Sequence, residues 1–194
     1  GHENLGLAES LFEDLQRDAW PGIAARTGVD PLAIATAIGD PQTQTGAACL
    51  PAAFFDVAAW GTDAPFNQQI NAARLALVTD ADRLDADAVL SLAQLYVYFG
   101  FGREARQTLE IDQVASRERL YLDILAQLID GEEVATGFFD GQVSCPSAVA
   151  LWALLATTEP PADAVADATA ITRAFRDLPL SLQALIAPRL SEKL

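Results

Sequence analysis

The densest set of chemistry-bearing side chains in this 194-residue chain is the stretch TDADRLDAD at 79–87, where Asp80, Asp82, Asp85 and Asp87 crowd together. Oxygen ligands at that density are what a hard cation such as calcium recruits. Read as an EF-hand loop from Asp80, the spacing fails. Asp82 fits, but Leu84 stands at the next ligand position, Asp85 replaces the turn glycine and Ser91 replaces the closing glutamate. The same residues make a good helix start, with Asp85 as N-cap and Asp87 beside the positive end of the helix dipole. Glycoside hydrolysis is the other chemistry that carboxylates alone could run, and Glu13-Asp14 and Glu132-Glu133 are the obvious pairs. Neighbours on a helix point in different directions, whereas that reaction needs two acids facing across a cleft. No catalytic residue, metal site or cofactor is assigned from these clusters.

The only histidine is His2, and Gly1-His2 ahead of a chain without methionine reads as the remnant of a cleaved tag. Residues 3–194 then read as a piece of a longer protein. Ser-His-Asp and Cys-His machinery has no base here, and zinc, iron or copper has no histidine ligand. Two cysteines, Cys49 and Cys145, cannot form a thiolate zinc site alone. Paired as a disulfide they fit a periplasmic or extracellular setting; as two buried free thiols they leave a cytoplasmic one open. Pairing demands a compact or curved arrangement, because bridged Cα atoms lie within about 7 Å. The chain carries 27 acidic against 12 basic residues, net charge −15, with Lys193 its single lysine. This balance disfavours nucleic acid and anionic membrane surfaces as partners, since both call for clustered cations. No apolar run reaches the roughly 20 residues of a membrane span.

The elements that would position these groups are helical throughout. Proline just inside a start and glycine just past an end punctuate the chain. Such signals bound LGLAESLFEDLQRDAW before Pro21, LAIATAI between Pro31 and Gly39, AAFFDVAAW between Pro51 and Gly61, and a segment from Pro65. Asp85 can cap 86–99 and Ser116 can cap 117–130, while Pro146, Pro160-Pro161 and Pro179 open the last three segments, with Pro188 expected to kink or restart the final one. Alanine and leucine dominate over valine and isoleucine, so the reading is all-α, with about ten to twelve helices in one domain over 3–194. Pro51 to Pro146 and Pro65 to Pro160 share one offset of 95 residues. Two related halves, about 49–110 and 145–194, would give that offset, and so would the common habit of proline at helix starts.

Within AVLSLAQLYVYFGFGREARQTLE, residues 88–110, the positions of Leu92, Ala93, Tyr96, Gly100, Ala105 and Leu109 resemble the tetratricopeptide repeat. Small Ala93 and Ala105 would let two antiparallel helices approach, Tyr96 and Leu109 would fill the layers beside them, and Gly100 would turn the chain. Gly102 stands where the repeat favours an aromatic, and Arg117 where it favours the closing proline. Leu125, Ala126 and Ile129 echo a second copy, with Gly131 arriving early. The resemblance implies antiparallel hairpins in a TPR-like α-solenoid or compact α-α superhelix. It further implies a concave peptide groove lined by Asp87, Leu90, Gln94, Val97 and Tyr98. By helical spacing Asp87, Ser91, Gln94 and Tyr98 make one polar stripe on an otherwise apolar helix, and Asp123, Gln127 and Asp130 make a comparable stripe on a later one. The expectation is a non-catalytic domain that binds a protein or peptide, part of a larger envelope-associated protein. A helical accessory domain of a carboxylate-based, glycan-active enzyme and a purely structural or oligomerisation bundle are the alternatives.

Overall fold

The computed structural model describes residues 40–79, 83–135, 137–158 and 165–193, all within the unit Asp40–Leu194. The helices expected at 5–20 and 32–38, the Gly1-His2 remnant, the Glu13-Asp14 pair, Asp80, Asp82 and Pro160-Pro161 lie outside the described residues. The described part is all-α. It comprises α1 (Phe66–Leu75), α2 (Ala86–Tyr98), α3 (Gly102–Leu109), α4 (Arg117–Ile129), α5 (Val149–Ala156), α6 (Ala168–Asp177) and α7 (Leu180–Ser191). Three 3-10 turns join them, at Ala52–Phe54, Val57–Trp60 and Gln142–Ser144. Seven α-helices among the described residues replace the expected ten to twelve.

The largest departure is the segment after Pro51, expected as one helix and found as two 3-10 turns. Phe55 and Val57 are both buried on either side of an exposed Asp56, whose φ of −83° and ψ of 68° interrupt the helical path. An α-helix cannot turn residues two apart toward one side, whereas this broken backbone can. Its counterpart after Pro146 is the regular helix α5, every residue of which from Val149 to Leu155 is buried. The two stretches behind the 95-residue offset thus take different forms. At the other end of the chain Pro188 lies inside α7 without ending it.

Local signals set the remaining boundaries. Asp85 accepts hydrogen bonds from the amides of Asp87 and Ala88 at 2.9 and 3.1 Å, and Ser116 accepts one from Arg119 at 3.3 Å. These satisfy first-turn donors that have no partner within the helix. At the other end of α2, Gly100 adopts φ +85°, its amide bonds Val97 O and the amide of Phe101 bonds Tyr96 O. This pair of bonds is a Schellman motif, and it reverses the chain into α3. Gly131 closes α4 by the same pair, to Leu128 O and from Glu132 to Gln127 O. Leu92, Ala93, Tyr96 and Ala105 are buried where the two helices of the α2–α3 hairpin meet, and α4 packs against both.

Gly102 is needed for proximity and not for backbone conformation. A Cβ there would come within 2.2 Å of the carbonyl oxygen of Ala126 and 2.7 Å of the Asp130 carboxyl. The first turn of α3 therefore rests directly on the backbone of α4, which leaves no room for the aromatic found at this place in the repeat. Gly102→Ala is expected to cost about 1–3 kcal/mol by forcing the two helices apart. A urea midpoint unchanged from wild type would show that α3 can slide at no cost.

The loop at 40–50 and the 3-10 turn at 142–144 are tied together. Cys49 and Cys145 form a disulfide with Cα atoms 6.0 Å apart. Beside it the buried side chain of Gln142 accepts from Leu50 N at 2.8 Å and donates to Ala48 O at 3.1 Å, so it grips the backbone on both sides of Cys49. Further along, the indole Nε1 of Trp152 on α5 donates to Phe55 O at 3.0 Å. The ring of Phe55 lies 5.4 Å from Tyr121 of α4 and 5.9 Å from Phe139. These contacts seat the 51–61 segment on the helices.

Candidate binding surfaces

The groove residues separate once the helices are assembled. On α2, Asp87 is exposed in the first turn and Leu90 and Gln94 are half-buried. Ser91, exposed between them, donates its hydroxyl to Asp87 O at 2.9 Å. Val97 is 0% exposed and Tyr98 8%, so both belong to the core and neither can line a groove. The cause is the 51–61 segment. Tyr98 lays its ring over Gly61, where a Cβ would meet ring carbons at 2.5 Å, and its hydroxyl donates to Thr62 O at 3.3 Å. Burial and, secondarily, the Asp63 carboxylate raise the Tyr98 phenol above its ordinary range.

Asp123 and Gln127 answer to a different neighbour. Arg106 of α3 donates Nε to Asp123 at 3.0 Å and Nη1 to Glu132 at 2.9 Å, while Gln127 donates to the second oxygen of Asp123 at 2.6 Å. Burial works against the Arg106 charge, but the hydrogen bond and charge of Asp123, with Glu132 and Asp130, outweigh it and raise its pKa. Asp123 and Gln127 are thereby tied to the α3–α4 seam. Glu132 is taken up in that cluster, whereas its neighbour Glu133 lines a cleft of about 480 Å³ between the loop at 133–143 and the end of α5. A second cleft of about 260 Å³ opens between the 52–58 turns, the start of α5 and the α6–α7 junction, with Asp56, Arg173 and Asp177 among its lining residues. Arg173 is held there by donating to Pro146 O at 3.3 Å. Among the described residues no group of three or more histidine, cysteine, aspartate or glutamate side chains is placed to hold a metal ion. No described helix is long and apolar enough to cross a membrane.

What the sequence did not single out is an aromatic surface at the α2–α3 turn. Phe66, the first residue of α1, places its ring 5.0 Å from Phe99 and 5.3 Å from Phe101. Phe99 also meets Tyr98 edge-on at 5.0 Å, which anchors the cluster to the core. Phe66 is 40% and Phe101 42% exposed, and Leu185 of α7, 45% exposed, extends the surface. The Leu185 side chain lies 3.2 Å from where a Cβ on Gly100 would stand, between the two phenylalanines of the turn. The signal available in sequence was the pair of phenylalanines flanking the turn glycine. A turn exposed to water has no need of two aromatics, and apolar side chains grouped on a surface mark a place of contact. No protein-family model, curated protein or solved structure matches this chain.

Proposed function

We propose that the domain is a non-catalytic, protein- or peptide-binding helical scaffold, TPR-like in the α2–α3–α4 layer, which works in an oxidising compartment such as the periplasm or the extracellular space. The observation that carries this reading is the grouping of exposed Phe66, Phe101 and Leu185 around the half-buried Phe99, although the chain has a well-filled core to bury such side chains. Aromatic anchors on a rigid support are the usual energetic centre of an interface. The turn that displays Phe99 and Phe101 is closed by a Schellman motif, and Leu182 and Leu185 of α7 stand against its Gly100. The compartment rests on the Cys49–Cys145 bridge, since reducing cytosol does not maintain structural disulfides.

The test is capture from an extract of the source cells, with wild type and Phe101→Ser as baits. Phe101 is substantially exposed, so the variant is expected to keep its far-UV dichroism and its urea midpoint. Capture of a specific partner by wild type, reduced at least about tenfold in the variant, is the expected result for an anchor side chain. Equal capture by both baits would remove this surface from the reading, and no specific capture by either would remove the reading itself.

A further inference from the structure

Resting on that reading, we propose that the Phe66–Phe99–Phe101–Leu185 surface docks a cationic segment of a partner protein, one that offers large apolar side chains flanked by lysine or arginine. The apolar part follows from the surface itself. Phe66 links the rings of Phe99 and Phe101 at 5.0 and 5.3 Å, and Leu185 stands against Gly100 in the turn that carries them.

The charge follows from what surrounds the patch. On the side of α1, Asp63 lies close enough to Tyr98, whose ring touches Phe99, to act on its phenol. On the side of α3, the Asp130 carboxyl is 2.7 Å from where a Cβ on Gly102 would stand, directly after Phe101. Glu104 and Glu132 share that corner with Asp130, and so do Arg103 and Arg106. Of these two cations, Arg106 is already committed to Asp123 and Glu132. Burial and then Glu132 raise the pKa of Asp130, and the two arginines only partly offset this. Four carboxylates, Glu104, Asp123, Asp130 and Glu132, thus stand with two arginines in that corner, and a partner's lysine or arginine would offset the excess. A second copy of this chain is a poor occupant, since it would bring the same carboxylates together on top of a net charge of −15.

The experiment is an anisotropy titration of the intact chain with a labelled peptide of about twelve residues in which two central leucines are flanked on each side by two lysines. The control is the same peptide with glutamate in place of lysine. The lysine peptide is expected to bind at least about tenfold more tightly than the control and to weaken when salt rises from about 0.05 to 0.3 M. Its affinity is expected to fall at least about tenfold in Phe101→Ser and about threefold in Asp130→Asn, with far-UV dichroism unchanged in both. Equal binding of the two peptides, or binding indifferent to Phe101→Ser, would overturn the proposal. A wild-type dimer in sedimentation that Phe101→Ser dissociates would make a second copy the occupant and would overturn it too. If Phe101→Ser loses a captured partner while the lysine peptide shows no preference, the cationic partner fails and the binding-domain reading stands. If neither bait captures a specific partner and peptide binding does not depend on Phe101, both fail.

Discussion

Arg119→Leu is expected to destabilise the domain by about 3–5 kcal/mol, among the largest losses available from one substitution. Arg119 lies in the first turn of α4, and its side chain, with that of Asp112 in the preceding loop, is less than a tenth exposed. The pairing is two-pronged, Nη1 to Oδ1 and Nη2 to Oδ2, both at 2.6 Å. Nη2 also donates to Ala86 O at 2.8 Å, which ties the start of α4 to the start of α2. Leucine fills most of the volume but strands the Asp112 carboxylate where water cannot reach it. The cost comes from that unpaired buried charge more than from the attraction lost. Replacing both residues is therefore expected to cost less than Arg119→Leu alone. Urea denaturation of the two single variants and the double variant measures this. A single variant within about 1 kcal/mol of wild type would show that the pair opens to solvent.

The second large effect is expected at the disulfide. Cys49 and Cys145 are 96 residues apart in sequence, and closing a loop of that size restricts the unfolded chain by about 4–5 kcal/mol in the chain-entropy account. The double variant Cys49→Ser/Cys145→Ser should lose about that much stability in urea. It should keep its helical dichroism in buffer, because Gln142 still grips Ala48 and Leu50, and Trp152 still holds Phe55 O. Wild type measured with a thiol reductant should approach the variant. A loss under about 1 kcal/mol would mean that those hydrogen bonds hold the 40–50 loop in the unfolded ensemble as well.

These two sites also show where sequence reasoning stops. Asp85, Ser116, Gly100 and Gly131 were legible because capping and helix termination are local, set by a handful of adjacent residues. So was the α2–α3 hairpin, whose small and large positions meet across one turn. The 51–61 segment was not. Its alanines and aromatics fit a helix by composition, and the deciding partner, the Trp152 indole, lies 97 residues away. Gly102 was read as a departure from a repeat pattern, although its meaning is the backbone of α4 beneath it. The polar stripe through Asp87, Ser91, Gln94 and Tyr98 followed helical spacing correctly. Spacing does not say which neighbour covers a face, and here the chain's own Gly61-Thr62 covers Tyr98. Arg119 and Asp112 carried no signal in a chain rich in carboxylates. Phe99-Gly100-Phe101 carried half of one, and Phe66 joined it only when α1 packed beside α2.

A partner docked on the surface around Phe101 would shield the backbone there from solvent. Hydrogen exchange of the chain alone and in complex with a captured partner reads that surface without any mutation. Added protection is expected at the amides of 99–103 and 66–69, with little change along α5, whose residues are already buried. Protection confined to the α3–α4 seam around Asp123, or to the cleft by Arg173 and Asp177, with 99–103 unchanged, would contradict it.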